Sequence, residues 1–106
     1  MTANQDLWEA LAGELEASDS AITRSTMMGL PCLRVDGAFF ASFDERKGAL
    51  IIKLPAKEVQ ARVAEGRGHS FAPAGKVFKE WIAIDNEDEA IWRASLTEAL
   101  AFVRRA

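Results

Sequence analysis

The chain has 106 residues, with 49% hydrophobic, 27% charged and 8% aromatic side chains and a formal net charge of −3. That size suits a single domain over 1–106, and those fractions belong to a folded globular chain rather than a disordered one. One cysteine excludes a disulfide scaffold and a thiolate zinc ribbon, and no apolar run approaches the ~20 residues that span a bilayer, so a cytoplasmic protein with no membrane contact is expected.

The first predicted element is a helix. Leu7, Trp8, Leu11 and Leu15 recur with helical period, and Asp6, Glu9, Glu14 and Glu16 lie mostly off that stripe. Thr2 and Gln5 have the spacing of a capping box, and Ser18–Ser20 end the helix. From Arg24 the pattern shortens to strand-length runs, RSTMMG, PCLRV, AFFASF and ALIIKL. Gly29-Leu30-Pro31 predicts a bend or bulge between the first two. Asp36-Gly37 predicts a tight type I′ hairpin, and Asp44–Gly48 a longer one. Pro55 opens a short helix with a narrow stripe of Ala56, Val59 and Val63, which Gly66 and Gly68 terminate. Residues 66–76 read as a loop with a short strand near Ser70-Phe71, and VFKEWIAI as a strong strand. The last helix carries Ile91, Trp92, Leu96, Ala99, Leu100 and Val103, with Asn86 as N-cap and Glu89 completing a capping box. Hairpins flanked by helices predict an α+β fold. Its layers are an antiparallel sheet of about five strands and the two terminal helices, packed on one face, with a short helix in the middle of the chain.

Regular alternation from the Asp36-Gly37 turn puts Leu33, Val35, Ala38 and Phe40 on one sheet face, and Cys32, Arg34, Phe39, Ala41 and Phe43 on the other. Neither face is cleanly polar, whereas a sheet with one wet face should alternate better. Either the loop 66–76 or a helix covers the second face, or Phe39, Phe43, Ile51 and Trp81 form an apolar contact surface for a second copy or another protein. The middle of the chain is also its basic part. Arg24, Arg34, Lys53, Lys76 and Lys79, with Trp81 or Phe39 to stack on a base, make the nucleic-acid alternative. A third reading places a small anionic ligand between the sheet and the 66–76 loop, with His69 as a pH-sensitive contact.

Motifs for chemistry are missing. One His and one distant Cys do not make a metal site, and no nucleophile elbow, phosphate-cradling loop or dinucleotide fingerprint is present. Cys32 reads as a small buried hydrophobe, paired Met27-Met28 as core, and the acidic run Asp85, Glu87, Asp88 and Glu89 as helix N-terminal charge. No catalytic, cofactor or metal residue is therefore assigned, and a non-enzyme is expected.

The segments RSTMMGLPCLRVDGAFFASFDERKGALIIKLP and GHSFAPAGKVFKEWIAI, with the final helix, carry a family pattern. Its positions are Arg24, Met27, Met28, Gly29, Asp36, Gly37, Phe40, Ala41, Lys53, Leu54, Phe71, Pro73, Gly75, Lys79, Trp81 and Ile84. On these the chain resembles the TfoX N-terminal domain family. It departs at Met28, where an aromatic is usual, and at Trp81, which is nearer the related MmcQ/YjbR-like family. The resemblance implies an antiparallel sheet with helices packed against it and supplies no catalytic residue. With it, the leading expectation is a non-enzymatic bacterial regulatory module acting through protein contacts, including a homodimer. Competence regulation, which TfoX performs with a second domain, is not carried over.

Overall fold

Two-residue turns build the first half of the sheet. The computed structural model describes residues 3–105. In it β1 (Ile22–Met27), β2 (Leu30–Val35), β3 (Ala38–Asp44) and β4 (Ala49–Lys53) follow one another as antiparallel neighbours. β6 (Phe78–Ile84) then pairs with β4, and a three-residue β5 (His69–Phe71) closes the far edge, giving six strands in the order β1-β2-β3-β4-β6-β5. Asp36 and Gly37 take φ of 51° and 85°, as a type I′ turn requires. The predicted bend at Gly29-Leu30-Pro31 is instead a second tight turn, because Met28 and Gly29 adopt φ of 51° and 77° and Met27 pairs with Leu30.

Three helices cover one face. α1 (Ala3–Ser18) contributes Trp8, Leu11 and Ala12, the short α2 (Ala56–Ala64) contributes Val59, and α3 (Glu89–Arg105) contributes Trp92, Leu96, Ala99 and Val103. They pack on Leu33, Val35, Phe40, Phe43, Leu50, Ile52, Ile82 and Ile84. Trp8 stacks on Phe43 with ring centroids 5.9 Å apart, and Phe43 meets Trp92 at 6.1 Å. Asn4 in the first turn of α1 is buried, and its Nδ2 donates to the carbonyls of Gly48 (2.8 Å) and Asn86 (3.1 Å). The Thr2 half of the predicted capping box lies outside the described residues.

α3 starts later than its sequence pattern predicts. The Asp88 carboxylate, not Asn86, accepts the Ile91 N–H (3.2 Å) and caps the helix. The Asn86 carbonyl is held by both Asn4 Nδ2 and Trp92 Nε1 (3.0 Å), and the Asn86 side chain accepts the Asp88 N–H (3.2 Å) just before the helix starts. α2 ends at Gly66 (φ 75°), where the Arg67 N–H donates to the Arg62 carbonyl. Arg62 is buried and pairs with Glu58 on its own helix and with Glu98 on α3, tying the two helices together.

The alternation expected for β3 breaks at Phe40. Leu33 pairs with Ala41, but Arg34 pairs with Phe39, so Phe40 is an extra residue on β3. Such a bulge reverses the side-chain phase beyond it. Phe39 therefore stays on the side of Arg34, while Phe40, Ala41 and Phe43 all face the helices. The expected placement of Ala41 and Phe43 on the second face is corrected accordingly.

Candidate functional site

Among the described residues no helix covers the second face of the sheet. Its apolar cluster is Ala49, Ile51, Phe71, Trp81 and Ala83, with Met27, Leu30, Phe39 and Phe78 packed around it. The two ends of this open face differ. At one end large side chains fill the surface. Arg34 lies across from Phe39 on β3 with its guanidinium 4.2 Å from the ring centre, and Lys53 lies across from Trp81 with its ammonium 6.0 Å from that ring. Phe71 and Phe78 meet edge to face at 5.6 Å.

At the other end the side chains are small and the surface is hollow. Ala49, Ile51 and Ala83 form the floor of a groove of about 670 Å³. Three walls rise around it: the Met28–Pro31 hairpin tip, the Asp44–Lys47 loop and the β5 segment His69–Pro73. Each wall has a local cause. The first is a two-residue turn. The second is braced by Asp44, whose carboxylate accepts the Arg46 N–H at 3.0 Å. The third is drawn close to the sheet at Gly68, where an added Cβ would stand 2.7 Å from Ile82 Cδ1 and 3.0 Å from the Ala83 carbonyl. Only glycine permits that approach.

The rim carries charge of both signs. His69 Nε2 is 3.4 Å from an Asp85 carboxylate oxygen, and both groups are exposed. Arg46 and Lys47 are exposed and, among the described residues, have no ion-pair partner. Of the rim carboxylates, Asp44 is committed to its own loop and Asp85 to His69, which leaves Glu45 unengaged among the described residues.

Set against family models, curated proteins and solved structures, the chain has no match.

The sequence-derived contact residues are not gathered on one surface. Phe39, Ile51 and Trp81 share the open face, and Phe43 is in the helix-side core. Ile51 is 1% exposed and Trp81 9%, so both are covered within the chain itself. The five cations also separate. Arg24 lies against α1, bound to Glu9 (2.9 Å) and Glu16 (3.2 Å), and the Glu9 carboxylate holds its guanidinium firmly charged. Arg34 and Lys53 sit on the open face, Lys53 also 4.0 Å from Glu80, and Lys76 and Lys79 are exposed near the start of β6. Cys32 is buried, and burial pushes its thiol above the ordinary range, which disfavours the reactive thiolate. Met28, expected in the core, is exposed at its hairpin tip. Among the described residues no cluster of His, Cys, Asp and Glu could hold a metal ion, and no helix is long and apolar enough to cross a membrane.

Of the groove's residues, the sequence points to Ile51, His69 and the 66–76 loop, which supplies Ser70, Phe71, Ala72 and Pro73. Met28, Arg46, Lys47, Ala49 and Ala83 were missed. The available signal was the pair of alanines at open-face positions on adjacent strands, next to positions occupied by Ile51 and Trp81. That contrast marks a depression once the strands are known to be neighbours.

A second hollow, of about 650 Å³, lies between α1 and α3. It is a crevice between helices, spanned by the ion pair of Arg93 with Glu14 (2.6 Å).

Proposed function

We propose that this chain is a non-enzymatic binding module that holds a small amphipathic carboxylate in the open-face groove. The groove itself carries the reading. Its volume of about 670 Å³ lies in the range of small-molecule sites, its floor is apolar, and its polar groups converge on the rim. The uncommitted cations Arg46 and Lys47 suit the carboxylate, and Ala49, Ile51, Phe71 and Ala83 suit an apolar body. This is the ligand predicted between the sheet and the 66–76 loop, with His69 on the rim. Placement favours the groove over a contact surface of Phe39, Phe43, Ile51 and Trp81, because Phe43 lies in the helix-side core and the four side chains do not share one face. The separation of Arg24 from the other cations, and the burial of Trp81, favour it over a nucleic-acid platform. Kinship with the TfoX N-terminal type and a cytoplasmic location are part of the same proposal. They rest on the antiparallel sheet with helices packed against it that the resemblance implies and on a lone free cysteine.

Decanoate is a suitable probe. If about five of its chain carbons leave water at about 0.8 kcal/mol each, roughly 4 kcal/mol is available. That corresponds to a Kd of about 1 mM before the carboxylate contributes. Titration followed by amide NMR should give saturable shifts centred on Ile51, Phe71 and Ala83. Ala83→Phe, which fills the floor, should abolish them while the variant's spectrum stays folded. Unsaturable shifts, or shifts that survive in Ala83→Phe, would refute the reading.

A further inference from the structure

The two tight hairpins of this sheet use the same turn with different residues. Both have positive φ at each central position, 51° then 85° at Asp36-Gly37, and 51° then 77° at Met28-Gly29. In that turn the first position favours Asn, Asp or Gly, since their short side chains tolerate left-handed backbone. Asp36 obeys the rule, and Met28 breaks it. A long side chain held at positive φ is strained, and such strain persists where something else repays it.

Among the described residues no packing contact of Met28 repays it. Met28 belongs to neither apolar cluster and is 54% exposed, whereas its neighbour Met27 packs on the open-face cluster. Met28 does line the groove, together with the β5 segment and the floor residues Ala49 and Ile51. An unbranched, polarisable thioether on a hairpin tip is suited to fold over a flexible apolar ligand.

We infer that Met28 is a specificity-determining clasp, which closes over the apolar body of the carboxylate bound in the groove and for which the fold accepts a strained turn. The inference rests on the groove reading above and adds the residue that grips the ligand. It makes a paired prediction that a merely tolerated surface methionine would not. Met28→Asn relieves the turn and removes the clasp together, so it should raise the urea midpoint and weaken decanoate binding by about five-fold. Met28→Leu keeps an apolar side chain at the strained position, so it should bind decanoate within about two-fold of the parent and show no gain in midpoint.

The test is decanoate titration of the full chain labelled with ¹³C at the methionine methyls, with the Met28 signal identified by its loss in Met28→Leu. The expected result is a saturable shift of that methyl, with the affinity loss and stability gain in Met28→Asn. Undiminished affinity in Met28→Asn overturns the clasp and leaves the groove reading standing. Absence of decanoate binding by the parent chain overturns both. A concentration-dependent dimer that Met28→Asn dissolves also overturns the clasp, since a second copy would then be what the tip grips.

Discussion

Replacing Phe43 by Ala asks directly which side of the sheet it serves. The ring is fully buried, stacked on Trp8 at 5.9 Å with planes 13° apart, and it meets Trp92 at 6.1 Å. Truncating a core Phe costs about 3–5 kcal/mol, and aromatic pairs add about 0.5–1.5 kcal/mol beyond area, so the upper half of the range is expected. Phe39, four residues earlier on the same strand, is half-buried and its ring meets the Arg34 guanidinium, so Phe39→Ala should cost only about 1–2 kcal/mol. In a domain whose whole stability is about 5–15 kcal/mol, the two losses are easily told apart. At about 4–8 °C per kcal/mol, Phe43→Ala should lower Tm by roughly 15–40 °C. Urea unfolding followed by tryptophan fluorescence measures both variants, with Trp8 and Trp92 reporting on the site itself. If Phe43→Ala costs no more than Phe39→Ala, the bulge at Phe40 and the face assignment that depends on it are wrong.

Two further substitutions test other parts of the structure. Gly68→Ala should destabilise by about 1–3 kcal/mol and disturb amide signals along β5, because its Cβ would fall 2.7 Å from Ile82 Cδ1; an unchanged melting curve would contradict that close approach. Acid should weaken the ties that join α3 to α1 and to the turn that follows it. Hydrogen bonds from Arg93 and Arg104 hold the carboxyls of Glu14 and Asp19 below their ordinary values of 4.5 and 3.8. A carboxyl depressed in the folded state stabilises above its unfolded pKa and loses that contribution as pH falls through the folded one. Arg93→Ala should therefore have a lower urea midpoint than the parent at neutral pH, with the gap closing below about pH 4.5 as Glu14 protonates. A gap that stays constant down to strongly acidic pH would show that the pair does not contribute in this way.

The order of elements was legible in the sequence because each has a local cause. Helical period set α1 and α3, Pro55 and Gly66 bounded α2, and Asp36-Gly37 set one hairpin. These signals act within a few residues, so no neighbour in space is needed to read them. Three decisions belonged to the tertiary structure. The bulge at Phe40 arises from how β3 registers against β2, and it sent Phe43 to the helices against its own alternation. The N-cap of α3 moved to Asp88 because Asn4, 82 residues away from Asn86, holds the Asn86 carbonyl. The groove exists because Ala49 and Ala83 lie on adjacent strands beneath three loops from distant parts of the chain. A hollow is a relation between side chains that are close only after folding, which is why composition and period pointed to the fold but not to the place where a ligand would sit.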